Sequence, residues 1–177
     1  MTREIADSHP LCRMFRGLVE HTFMSELGIA DPRLVGYVAG LLVRFVPDSE
    51  VWRLRDPQSG RVREVAAMVA LAESAPDDEH RRDRHRHVGD YTLFWTGVYP
   101  EALDRLRASG SIDGLIDYRE QGKRSYHVAG SLSRGDDEAP VLHRLSEEFD
   151  LCAFGLSRVR QGWEHRDPGP HGPILAA

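Results

Sequence analysis

Apolar residues recur along this chain at intervals of three and four, the period of a helix with one buried side. Leu11, Met14, Phe15, Leu18, Val19 and Phe23 form the first such stripe, preceded by Ser8 and Pro10 and stopped by Gly28. Asp31 and Pro32 open a second segment that is apolar almost all round to Val46, so Leu41 and Phe45 are expected at the centre of a core. A third helix is predicted over residues 62–75 and a fourth over 78–98, the latter begun by Asp77, Asp78 and Glu79. A short helix follows over 100–109. A sixth is expected from Ile112, Leu115, Tyr118, Gly122, Tyr126 and Ala129 along one face. The last begins near Pro140, with Val141, Leu142, Leu145, Phe149, Cys152, Leu156, Val159 and Trp163 in an unbroken stripe.

No stretch alternates with the period of two that a half-buried strand requires. The expected fold is therefore all-α, a single-domain bundle of six or seven helices over residues 9–166. Residues 1–8 read as a flexible lead, and the Pro/Gly-rich tail 167–177 reads as disordered.

At 177 residues, 41% hydrophobic and 29% charged, the chain has the composition of one globular domain. A net charge of −5 gives no basic field to hold nucleic acid. The apolar run 34–46 is too short for a bilayer and contains Arg44, so no membrane association is expected. The first residues show no signal-peptide core, which makes a cytoplasmic location the expectation. Cys12 and Cys152 lie on apolar stripes with neither metal nor redox spacing, where a thiol acts as a small hydrophobe.

Chemistry is sparse. The fourth helix carries the densest set of candidates: His80, His87, Tyr91, Phe94, Trp95 and Val98 share a sector, with Asp83 and Asp90 at its edge. Asp83, His87 and Asp90 could hold a divalent ion, or a carboxylate could orient His87 as a base. The simpler reading makes both His87 and Asp90 largely buried, with His87 hydrogen-bonded to Asp83 or Asp90, and Asp90 held by a backbone N–H, by Arg86 or by an arginine of another helix. His21 and His127 border the first and sixth stripes, and a metal or haem site would need them to converge with His87. Arg81, Arg82 and Arg86 are matched by Asp77, Asp78 and Asp90 one turn away, as on a solvated face. Tyr118 and Tyr126 flank Gly122, a notch suited to a crossing helix or a flat apolar ligand. Leu151 and Phe154 fall off the last stripe, where a further helix or a partner would cover them.

Gly89, Asp90, Leu93, Phe94, Gly97 and Pro100 form a G-D-x-x-L-F-x-x-G-x-x-P block. With the later Tyr118, Gly122 and Tyr126, it resembles a group of bacterial all-helical proteins with no known activity. The resemblance spans most of residues 10–160 and implies a bacterial, helical, cytoplasmic protein without supplying a catalytic residue. The functional expectation is a non-catalytic soluble helical protein that binds a protein partner or a small apolar ligand, with Tyr118, Gly122 and Tyr126 as ligand contacts. It needs no cofactor and leaves room for a homo-oligomer. The alternative is a helical metal- or haem-dependent oxidoreductase using His87 with Asp83 or Asp90, joined by His21 or His127.

Overall fold

A computed structural model describes residues 10–45, 64–133 and 135–166. The expected N-terminal lead, the C-terminal tail and residues 62 and 63 of the third helix lie outside them, and Glu64, expected to be helical, is extended. Among the described residues there are eight α-helices and no strand. They are α1 (Pro10–Glu20), α2 (Pro32–Phe45), α3 (Val65–Glu73), α4 (Asp78–Val98), α5 (Pro100–Ala108), α6 (Tyr118–Leu132), α7 (Ala139–Glu147) and α8 (Phe149–Arg166). The all-α expectation holds, with one helix more than the upper count.

Aspartates start three of these helices by accepting backbone N–H groups that have no partner within the helix. Asp31 takes the N–H of Arg33 at 2.9 Å, Asp77 that of His80 at 2.8 Å, and Asp117 those of Arg119 and Glu120 at 2.9 and 3.2 Å. At the far end of α4, the Arg160 guanidinium donates to the Val98 carbonyl at 2.6 Å, placing a cation where the helix dipole favours one.

Three local expectations are corrected. The first helix does not run regularly to Gly28: residues His21–Glu26 widen into a π turn that sends neighbouring Thr22 and Phe23 both into the core. The sixth helix begins at Tyr118 rather than Ile112, because Asp117 takes the cap. Asp113–Leu115 is a separate 3₁₀ turn, on which Ile112 and Leu115 are 72% and 86% exposed. The last stripe spans two helices, since the backbone turns at Glu148 while Leu145, Phe149 and Cys152 stay buried on either side.

The long helix α4 is the axis. It packs against α6 most extensively and also against α2, α3, α5 and α8, while α7 closes on α6 and α1 lies across α2 and α8. Leu41, Phe94, Leu142 and Leu156 fill the centre with no exposed surface, and Phe45 is buried as expected. Close approach to the axis depends on glycine. A methyl group at Gly89 would stand 2.7 Å from the Tyr126 ring, and one at Gly97 2.7 Å from the Leu156 Cβ. Both distances are inside contact range. Cys12 and Cys152 are buried free thiols, and burial pushes the Cys152 thiol up to about 12. No helix among the described residues is long and apolar enough to cross a membrane.

Candidate functional site

The candidate residues divide among three places rather than gathering at one. The first is Asp90, buried in the middle of α4. Its Oδ1 accepts the hydroxyls of Tyr37 from α2 and Tyr126 from α6, each at 2.8 Å. Its Oδ2 accepts the Arg44 guanidinium at 3.0 Å. The two phenol rings meet edge to face at 6.4 Å, and Arg44 lies over the Tyr37 ring. Burial, then the charge of Asp90, drives both phenols well above the usual tyrosine range, so they remain donors. One carboxylate thus ties three helices together, with its oxygens committed to neighbours.

The notch expected at Tyr118, Gly122 and Tyr126 is occupied. A methyl group at Gly122 would strike the Phe149 ring and the Thr92 hydroxyl, so α6 lies directly on α4 and α8 there. Tyr118 and Tyr126 are both buried. The Tyr118 hydroxyl donates to Asp113, which also accepts the Ala66 N–H at 3.1 Å and so joins the 3₁₀ turn to α3.

The second place is His85, 1% exposed between α3, α4 and α6. Its Nδ1 faces the Ser125 hydroxyl at 3.4 Å, and that hydroxyl accepts the Gln121 amide at 3.0 Å. Its Nε2 lies 3.4 Å from the Glu73 carboxylate, near enough for attraction but not aligned for a hydrogen bond. Burial holds this imidazole below the usual histidine range against the pull of Glu73. The order carboxylate, imidazole, hydroxyl is that of a nucleophilic triad. Here Ser125 has no exposed surface, so the chain of groups joins helices and offers no atom to a substrate.

The third place is the surface, where His21, His80, His87, His127 and His165 lie exposed. His87 is exposed, correcting the expectation that it is buried; its ring stacks on Phe45 at 6.2 Å. The buried histidine of α4 is instead His85, on the side facing α6. Asp83 is exposed and paired with Arg82 at 3.0 Å. His21 is exposed on the π turn with Glu26 3.7 Å away. His127 is exposed on α6 and meets His143 of α7, with ring centroids 5.4 Å apart. Asp83, His87 and Asp90 therefore keep different company. Among the described residues no group of three or more histidine, cysteine or acidic side chains gathers at one point.

Sequence reasoning missed Tyr37, Arg44, His85 and His143. Tyr37 and Arg44 carried a signal: seven residues apart, they are polar groups on one side of a helix otherwise expected to be buried. No protein-family model, curated protein or solved structure matches this chain.

Proposed function

We propose that this chain is a non-catalytic helical protein that binds a protein partner through the outer face of α8. The observation carrying this reading is the exposure of Leu151 (39%) and Phe154 (55%), one turn apart on an 18-residue helix whose opposite face is fixed in the core. Asp150, Arg158 and Gln161 are exposed on the same helix, giving an apolar centre with a polar rim. A rigid helix presenting a large aromatic side chain is a form of surface that a partner helix can grip. Ile112 and Leu115 are more exposed, but they stand on a short turn without an extended face.

A protein is favoured over a small apolar ligand because the exposed side chains point outward from one helix, while Phe149 and Thr92 fill the notch at Gly122. The polar clusters support the non-catalytic reading, since the oxygens of Asp90 are engaged and Ser125 is sealed.

A photo-crosslinking residue placed at 154, and separately at the exposed Arg105 of α5, tests this in the cells that make the protein. The expected result is a discrete protein adduct from position 154 and none from 105. With the photo-crosslinking residue moved to 151, Phe154→Ser should abolish the adduct while changing stability by less than about 0.5 kcal/mol, as surface substitutions do. Equal labelling at both positions, or none at 154, overturns the reading.

A further inference from the structure

We propose that His127 and His143 form a two-imidazole site for a borderline divalent metal ion of the zinc and copper class, between α6 and α7. The two helices run antiparallel in a fixed register. The Ser146 hydroxyl donates to the Lys123 carbonyl at 2.7 Å, and the His143 ring lies beside Gly130. Between those contacts His127 and His143 stand opposite one another. Their centroids are 5.4 Å apart, with the ring planes inclined at 68°.

That separation suits a shared ion. With metal–nitrogen bonds of about 2.0–2.1 Å, two imidazoles at a tetrahedral angle place their centroids roughly 5.2 Å apart. The pair therefore needs little more than ring rotation to aim one nitrogen each at a common point. His127 is exposed, and neither imidazole donates or accepts a hydrogen bond through its ring among the described residues. His85, by contrast, is hemmed in by Ser125 and Glu73.

Gly130 makes the arrangement possible. A methyl group there would lie 3.0 Å from His143 Nε2 and 3.1 Å from both neighbouring ring carbons. Three nearly equal distances put that point over the face of the ring, since an approach in its plane would be much closer to the nitrogen alone. Gly130 therefore meets the face of the imidazole and not the in-plane direction of its Nε2. Imidazole nitrogen suits zinc, nickel and copper, and water completes the coordination of an ion held by two side chains at a surface.

Zinc chloride titrated calorimetrically into the full chain at neutral pH tests this, using the parent, His127→Ala, His143→Ala and the control His21→Ala. The expected result is one zinc ion per chain, with affinity reduced at least about tenfold by either substitution at the pair and unchanged by the control. His143 is half-buried, so His143→Phe serves as a second variant that keeps a ring in place and removes both nitrogens. Circular dichroism on the same samples establishes that each variant is folded. A parent that binds no zinc, or binding that survives the loss of either histidine, overturns the proposal.

Discussion

Removing the Asp90 carboxylate should damage the fold more than any other single change to a polar side chain described above. In Asp90→Ala two phenol hydroxyls lose their acceptor, and that of Tyr126 belongs to a residue with no exposed surface. Leaving a buried donor unpaired costs about 1–3 kcal/mol. Arg44 adds little, because its side chain is 48% exposed and can turn to solvent. With two donors left unpaired, one of them on the half-buried Tyr37, the expected loss is about 2–4 kcal/mol. Asp90→Asn keeps one carbonyl oxygen for the tyrosines but removes the charge. Hydrogen bonds to a charged group are worth about 1.5–3 kcal/mol and neutral ones about 0.5–1.5, so this variant should lose about 1–3 kcal/mol. Urea unfolding followed by circular dichroism measures both losses, provided the slope with denaturant is unchanged. A double-mutant cycle with Tyr126→Phe then isolates the pair and should show coupling of at least about 1 kcal/mol. A loss below about 1 kcal/mol for Asp90→Ala, or additivity within about 0.5 kcal/mol in the cycle, would refute the central role given to this carboxylate.

Two further outcomes follow from the same geometry. Because burial holds His85 below the usual range, the unfolded chain takes up this proton at higher pH than the folded one. Its contribution to stability is complete above the ordinary histidine value of about 6.5 and is lost as the pH falls through that value toward the depressed folded one. His85→Asn should flatten the decline of urea stability over that acidic interval, and a slope equal to the parent's would count against this assignment. At Gly122 an added methyl meets the fully buried Phe149 ring and the Thr92 hydroxyl, so Gly122→Ala should destabilise by about 1–3 kcal/mol through overpacking. A melting temperature equal to the parent's would mean that α6 can lift away from α4 at little cost.

The all-helical class was legible because each stripe has the period of a helix and the punctuation is strong: Asp31-Pro32, Asp77, Gly28, Gly110 and Pro100 all stand at observed ends. The break at Glu148 was not legible. A stripe records which residues face the core, and Leu145, Phe149 and Cys152 face it whether or not the backbone hydrogen bonds continue between them. Ile112 and Leu115 misled in the opposite sense, having helical spacing but lying before the Asp117 cap. His87 and His85 show a further limit. In a charged half-helix reading Arg84-His85-Arg86-His87, the buried side depends on where α3 and α6 arrive, and that information lies elsewhere in the chain. Asp90 was recognised as a buried carboxylate needing partners, but its actual donors come from positions 37, 44 and 126.

The contact between Gly89 and Tyr126 also constrains how this sequence can drift. With an added methyl only 2.7 Å from the ring, any larger residue at 89 demands a smaller one at 126. A smaller residue at 126 would in turn remove the hydroxyl that Asp90 accepts. Positions 89, 90 and 126 therefore constrain one another, and each single change passes through a poorer protein. Exchanging segments between diverged versions of this chain, with a crossover anywhere between α4 and the middle of α6, would separate partners that had changed together.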